Sequence, residues 1–197
     1  MDGKTHAALG AATALVTICP TKPEDLIITA AVGAFAGILS DIDTGGKVTH
    51  IVQIITIGFI ATILFFVGQA ALTGSTVVDS INRSGIAINL LGIAILIGFS
   101  IYGSTQPHRH FTHSFAACTI ASISAYLIFK GITAAFVIGY LSHLAVDFPN
   151  KKGEQLLWPL PNTWCLGLCT ANGLAALYTR LASYIVCIAY AASLGLK

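Results

Sequence analysis

Apolar stretches separated by short polar breaks run through almost the whole chain, and they constrain its fold more than any other feature. Only 9% of the residues are charged and 55% are hydrophobic, whereas a soluble domain carries about 25% charged residues. So few charges cannot solvate the surface of a globular protein, and lipid must therefore cover most of it. We predict a polytopic integral membrane protein.

The polar breaks divide the chain into a series of predicted helices. They cover residues 5–19, 25–40, 48–72, 85–103, 110–129, 132–148 and 168–195. Because neighbouring helices are joined by short breaks, the first six form three hairpins and the last is a separate C-terminal helix. We predict an all-α membrane helical bundle of about six to seven helices, forming a single domain over residues 1–197 with a functional core at 5–160.

Two parts of this layout differ from ordinary membrane spans. Helices of about fifteen residues, such as the first two and the sixth, rise only about 22 Å against a hydrocarbon core of about 30 Å. The first hairpin is therefore either re-entrant or sits with its open end below the membrane surface. The segment 148–163 contains three prolines and two lysines, with Trp158 inside it and Trp164 next to it. Aromatic residues are enriched at membrane–water interfaces, so this segment is predicted to be an interfacial loop.

Ionisable side chains gather at predicted helix ends that share one side of the membrane. Each hairpin returns to the side that it left, which brings these helix ends together. The residues are His6, Asp41, Asp43, His108, His110, His113, His143 and Asp147. Ionisable residues at membrane depth are costly and are usually paired or functional. Their common side predicts that they form one site.

Rows of small residues lead to several of these side chains at three- and four-residue spacing. Gly10 follows His6, Gly33 and Gly37 precede Asp41, and Gly139 precedes His143. Small residues at this spacing let membrane helices approach closely. Ordinary helix packing explains the small residues by themselves, but it does not explain why each row ends at a ligand-type side chain.

The chemistry of this set favours divalent metal ions. His143 and Asp147 are four residues apart on one helix face, so one ion could bind both. Imidazole with carboxylate suits zinc, with manganese and iron(II) as alternatives. The set exceeds the needs of one tetrahedral ion, so two or three ions are predicted. A lone histidine at a helix end is more often an interfacial or capping residue, which is our interpretation of His50. For His110, support of the site and simple solvation stay equally open.

Several other polar residues have two interpretations. Arg109 could bind a phosphate oxygen in fork geometry or snorkel to lipid headgroups. Arg180, inside the last apolar segment, is predicted to snorkel or to pair with another helix. Cys165 and Cys169 have a metal-compatible spacing, but no second pair completes a tetrahedral set, so the cysteines are interpreted as structural filler. The net charge of +2, without a basic stripe, argues against nucleic-acid binding.

Four motifs, taken in order, carry a resemblance to a known family. They are Thr5-His6-Ala7-Ala8, Asp41-Ile42-Asp43, His108-Arg109-His110-Phe111-Thr112-His113-Ser114 and Ser142-His143-Leu144-Ala145-Val146-Asp147, followed by Trp158-Pro159. This set resembles the YdjM-like family of bacterial membrane proteins, described as membrane-bound metal-dependent hydrolases. The resemblance implies an all-helical fold distantly similar to zinc-dependent phospholipase C and single-strand-specific nucleases, which bind a zinc cluster and cleave phosphoesters. The implied metal ligands are His6, Asp41, Asp43, His108, His113, His143 and Asp147.

The leading functional hypothesis is a membrane-embedded metal-dependent hydrolase, with a phosphoester of a lipid or lipid-linked compound as substrate. Asp41 or Asp43 would orient or deprotonate the attacking water, and Arg109 would hold the phosphate. The alternative is a divalent-metal transporter or metal sensor. A transporter places its ligands near mid-membrane, whereas here they lie at helix ends on one side, which favours the enzyme. A structural zinc protein is a third interpretation, and it would need only four ligands.

The expected location is the bacterial inner membrane, crossed several times. On the predicted layout, the positive residues of the site side are Lys4, Lys47, Arg109, Lys151 and Lys152, and those of the opposite side are Lys22, Arg83, Lys130 and Lys197. Positive residues are enriched on the cytoplasmic side of membrane proteins. This narrow excess favours a site that faces the cytoplasm.

Overall fold

The computed structural model describes residues 1–45, 50, 57–58, 86–171 and 173–195, and within these ranges it is built from α-helices. The helices are α1 (Gly3–Ile18), α2 (Pro23–Leu39), α3 (Ile86–Thr105), α4 (Phe115–Ile128), α5 (Thr133–Asp147) and α6 (Leu174–Gly195). Short 3₁₀ turns occur at Ser40–Asp43, Phe111–His113 and Lys130–Ile132. No β-strand forms among the described residues, which confirms the predicted all-α fold. The predicted helix 48–72 falls almost entirely outside these ranges.

Two predicted helix starts were wrong. The helix predicted from residue 110 begins at Phe115, because the Ser114 side chain caps it by accepting a hydrogen bond of 3.1 Å from the backbone N–H of Ala117. A serine hydroxyl that satisfies a free N–H group at a helix start is a strong N-cap. The histidines before Ser114 therefore lie in a loop and a 3₁₀ turn. The C-terminal helix, predicted from residue 168, begins at Leu174.

Three helices in the described ranges are long and apolar enough to cross a membrane. They run over Pro23–Asp43, Ile88–Thr105 and Leu174–Leu194. The prediction that the second helix is short was wrong, because the 3₁₀ turn at Ser40–Asp43 continues α2 to 21 residues, or about 31 Å. Only 11% of the span in α6 is buried. This helix therefore lies at the edge of the bundle with most of its apolar surface uncovered.

Glycines bring α1, α2 and α5 into backbone contact. A methyl group added at Gly33 would collide with the carbonyl oxygen of Gly10, and one added at Gly139 would collide with the carbonyl oxygen of Gly33. At Gly37 it would lie 2.5 Å from the carbonyl oxygen of His6. The predicted rows of small residues are confirmed for these three helices. The glycine contacts are the tightest helix packing in the described structure. The rows of small residues end where the ionisable residues begin.

Helices α3 and α4 pack against each other through polar contacts as well as apolar ones. The side-chain amide of Asn89 donates to the carbonyl of Ile128 over 3.1 Å, and the Ser124 hydroxyl donates to the carbonyl of Gly92 over 2.9 Å. On the inner side of the bundle, Leu39, Ile42 and other apolar residues of α2, α3, α4 and α5 form one buried cluster. This core supports the 3₁₀ turn that carries the aspartates.

Candidate metal centre

All seven predicted metal ligands lie at one end of the α1–α2–α5 unit. They form two groups, one of Asp41, Asp43, His108 and His113 and the other of His6, His143 and Asp147. Within each group, one possible ligand atom from every residue lies within 4.8 Å of the others. Every member except His108 is buried. The structure thus brings together side chains that are far apart in the chain, whereas His110 is exposed and belongs to neither group.

Asp43 organises the first group through hydrogen bonds to both of its carboxylate oxygens. One oxygen lies 2.8 Å from Nδ1 of His108. The other accepts from the backbone N–H of Arg109 at 3.0 Å and from the Thr112 hydroxyl at 2.5 Å, and it lies 3.3 Å from Nδ1 of His113. A carboxylate that receives the ring N–H of a histidine fixes the orientation and the tautomer of that ring. Asp43 therefore directs Nε2 of His113 into the site.

The two groups meet where His113 and His143 face each other. Nδ1 of His143 lies 2.6 Å from the carbonyl oxygen of Gly37. Because a carbonyl only accepts, Nδ1 carries the proton and Nε2 of the neutral ring presents a lone pair. Nε2 of His113 and Nε2 of His143 are 3.1 Å apart. Two imidazole nitrogens bound to one tetrahedral zinc ion at about 2.0–2.1 Å are separated by about 3.3 Å. These two side chains fit a shared metal ion.

Asp41 lies between the two groups and faces both. Its Oδ1 is 3.9 Å from Nε2 of His113 and 4.0 Å from Nε2 of His143, while its Oδ2 is 4.0 Å from Nε2 of His6. Within the described part of the chain, no N–H or O–H group donates to this carboxylate. An ionised carboxylate that is buried without a donor needs a cation. The carboxylate of Asp41 therefore suits a divalent cation held at this end of the helices.

His6 and Asp147 complete the second group. The His6 ring stacks on His143 with a centroid distance of 3.8 Å, and its Nε2 lies 3.3 Å from Oδ1 of Asp147. Nδ1 of His6 is buried with no hydrogen-bond partner among the described residues. A buried polar atom without a partner calls for an explanation, and a bound ion is one. The donors of this group therefore also suit a divalent metal ion.

A family model described as YdjM inner membrane protein matches residues 1–196. The chain belongs to this family. No curated protein and no solved structure matches it. The match confirms the family predicted from the histidine and aspartate motifs. The matched range also includes α6. Together with the three apolar helices, it identifies the chain as a membrane protein. Hydrolysis and metal binding stay predictions.

In this YdjM-family protein, Arg109 lies inside the site and does not snorkel. Its side chain is 7% exposed. Nη2 donates to Oδ2 of Asp147, Nη1 donates to the carbonyl oxygen of Lys152, and Nε has no partner among the described residues. The backbone of Arg109 has a φ of 71°, a left-handed conformation that costs energy for a residue with a side chain. The hydrogen bond from its N–H to Asp43 helps to hold this conformation.

The structure also bears on the predictions for Arg180 and His50. Arg180 pairs with Asp2 over 2.9 Å, which confirms the predicted pairing with another helix, since Asp2 caps the start of α1. Thr5 of α1 also approaches the carbonyl oxygen of Ala176 in α6, at 3.4 Å. These contacts attach α6 to the helix that carries His6. His50 is exposed, as expected for a residue outside the site.

Glu154, which was not among the predicted site residues, is completely buried in the loop between α5 and α6. Two backbone hydrogen bonds pair Glu154 with Trp164, at 2.9 and 2.8 Å, and the N–H of Gln155 donates to the carbonyl of Arg109 at 3.0 Å. Burial raises the pKa of Glu154 to about 8, helped by the negative charge of Asp147 and opposed by Arg109. An acidic residue in a proline-containing segment is usually solvated, so no pattern in the sequence indicates this burial.

The outer surface of the same loop is apolar. Its exposed large side chains are Leu157, Leu160, Trp164, Leu166 and Leu168. Such a surface is compatible with the interfacial loop predicted for residues 148–163, whose contact with lipid stays a prediction. The loop therefore has two faces, one buried against the metal centre and one suited to the membrane.

Proposed function

We propose that this protein is a multi-pass membrane hydrolase that uses divalent metal ions to cleave a phosphoester in a lipid or lipid-linked substrate. The observation that carries the proposal is the pair of Nε2 atoms of His113 and His143, 3.1 Å apart, with the carboxylate of Asp41 between this pair and His6. Such a set of nitrogen and oxygen donors suits zinc, with manganese and iron(II) as alternatives.

The buried charge also favours divalent cations. Asp41, Asp43 and Asp147 are buried together, and the guanidinium group of Arg109 is the buried side-chain cation that contacts them in the described structure. The N-terminal ammonium of Met1 also contacts Asp147, so two cations lie against three buried carboxylates. Such an arrangement is unfavourable unless further positive charge is present. The seven side chains would hold two or three such ions, one of them through the facing Nε2 atoms of His113 and His143. When bound, such ions supply a Lewis acid for the phosphate and lower the pKa of a water molecule.

The contacts of the two aspartates support a division of labour between them. Asp43 is engaged by His108, Arg109, Thr112 and His113, so it holds the ligands in position. Among the described residues, no donor of this kind reaches Asp41. A carboxylate with free lone pairs can orient a water molecule and accept its proton. We therefore assign the role of orienting or deprotonating water to Asp41 and a supporting role to Asp43.

A lipid substrate is favoured by the surroundings of the site. Asp41 lies at the end of a membrane-length helix, and the loop over Asp147 has an apolar outer surface with Lys151 and Lys152 exposed beside it. Lysines at this level attract the phosphate of a headgroup. Arg109 supplies a further positive charge for the phosphate inside the site. A membrane-facing entrance would admit the substrate laterally.

A divalent-metal transporter is the second candidate. The placement of the donors argues against it, because they lie at the first turn of α1 and at the C-terminal ends of α2 and α5. Transporters bind their ions near mid-membrane, at breaks within helices. We further propose, from the narrow excess of positive residues, that the site faces the cytoplasm of the inner membrane.

One experiment separates the two candidates. Purified protein loaded with zinc or manganese is incorporated into vesicles of mixed bilayer lipids. Release of phosphate or of a phosphorylated headgroup is followed together with metal flux across the same vesicles. The hydrolase releases phosphate without flux. Flux without cleavage of any phosphoester, ester or amide bond would instead establish the transporter.

A further inference from the structure

Glu154 is a buried acid to which no role in the candidate metal centre has been assigned. Its side chain is fully buried, and neither carboxylate oxygen has a hydrogen-bond partner in the described structure. A buried carboxyl group in this state is unfavourable when ionised. Either it keeps its proton or a cation reaches it in another state of the protein. Two cations act on this acid, the guanidinium group of Arg109 and the N-terminal ammonium of Met1, which is bound to Asp147.

Of these two cations, Arg109 has a buried donor that lacks a partner among the described residues. Its Nε is buried without a partner in the described residues, while Nη2 is bound to Asp147 and Nη1 to the carbonyl of Lys152. The N–H groups at Nε and Nη2 form a fork that matches the two oxygens of a carboxylate. The backbone of Gln155 is hydrogen-bonded to the backbone of Arg109, so the chain next to Glu154 is held against this residue.

Asp147 cannot bind Arg109 as strongly when it also binds a metal ion. Its Oδ2 accepts from Arg109, and its Oδ1 accepts from the side chain of Asn150 at 2.8 Å and from the N-terminal ammonium of Met1. A divalent ion bound to Asp147 and His6 competes for these lone pairs and repels the guanidinium group. Arg109 must then pair with another anion, because burying a guanidinium group without a partner is unfavourable in free energy.

We infer that Glu154 is a positioning residue, to which the Nε and Nη2 groups of Arg109 turn when a divalent ion binds Asp147. Nη1 keeps its bond to Lys152 during this change, so the guanidinium group pivots without leaving the site. Glu154 gives up its proton to solvent as the ion pair forms. This role rests on the metal site of the proposed function, but it does not depend on hydrolysis.

The test measures zinc affinity by chelator competition for the wild type, Glu154→Gln, Arg109→Gln and the double variant. Removing one charge-assisted hydrogen bond that forms only with the metal bound weakens affinity by about ten- to a hundredfold. We expect this loss for Glu154→Gln when Arg109 is present, and less than about a twofold change in the Arg109→Gln background. Glu24→Gln is the matched control, because Glu24 is exposed in the first turn of α2.

The other outcomes contradict the inference in distinct ways. Equal weakening in both backgrounds would make Glu154 a metal ligand itself, and no weakening would leave it a passive buried acid. A wild type that binds no zinc would also contradict the proposed function, whereas normal binding with an unaffected Glu154→Gln contradicts only the role of Glu154. If Arg109→Gln does not fold, the inference is tested instead by infrared difference spectra with and without zinc for the wild type and Glu154→Gln. Zinc should remove a protonated-carboxyl band that Glu154→Gln lacks, and a band that persists overturns the inference.

Discussion

The imidazole rings of His6 and His143 stack with their centroids 3.8 Å apart and their planes at 25°. This contact joins the first turn of α1 to the last turn of α5. It exists because the helix backbones touch at Gly10, Gly33 and Gly139, where a methyl group would collide with a neighbouring carbonyl. The glycines therefore set the spacing of the metal centre, although none of them carries a donor.

The first prediction follows from this spacing. Gly33→Ala should lower the free energy of unfolding by about 1–3 kcal/mol, because overpacking forces the backbones apart, and it should reduce bound metal. Gly98→Ala in α3 is the control, since a methyl group there meets nothing within 4 Å. Alanine also favours the helix over glycine by about 1 kcal/mol, so this control should be neutral or stabilising. Equal melting temperatures for the two variants in detergent would refute the close approach.

A second prediction concerns the ligands. His113→Ala and His143→Ala should each lose bound metal, because either change removes one of the two Nε2 atoms that face each other. His50→Ala and His110→Ala should retain it, since both side chains are exposed and outside the two groups. Mass spectrometry of the metal content of the four purified variants provides the measurement. Equal metal in all four would mean that these histidines are not a ligand set.

The clustering of histidines and aspartates could be predicted from the sequence because it depends on helix periodicity and on hairpins that return to one side. The local backbone conformation around His113 could not be predicted from the sequence. Its 3₁₀ turn depends on hydrogen bonds from Thr112 and Arg109 to Asp43, which is more than sixty residues away. Glu154 was missed for a similar reason. Backbone pairing with Trp164 buries it, and such pairing leaves no periodic pattern in the sequence.

A third prediction separates the two aspartates. Asp41→Asn should reduce turnover by about 100- to 1000-fold, the loss typical for one preorganised charged group at a reacting centre. Asp43→Asn should instead weaken metal binding by about 10- to 100-fold, because it loosens His108 and His113, which Asp43 orients. Metal affinity and phosphate release are measured on the same preparations. The division of labour fails if Asp43→Asn binds metal as the wild type does.

The last prediction uses the pH dependence of stability in the metal-free protein. Burial raises the pKa of Glu154 from its ordinary value of 4.5 to about 8. The folded state therefore holds a proton that the unfolded state releases between these values, and stability falls as the pH rises through this window.

Glu154→Gln cannot ionise, so it should lack this loss. Below about pH 4.5 the wild type and the variant should differ little, and by pH 8 to 9 the variant should be more stable by a few kcal/mol, the order expected for a shift of this size. Thermal unfolding in detergent with a chelator, at several pH values from 5 to 9, measures the difference. Glu24→Gln, which changes an exposed acid, should follow the wild type throughout. A constant difference between wild type and Glu154→Gln across this range would show that Glu154 is not held protonated by burial.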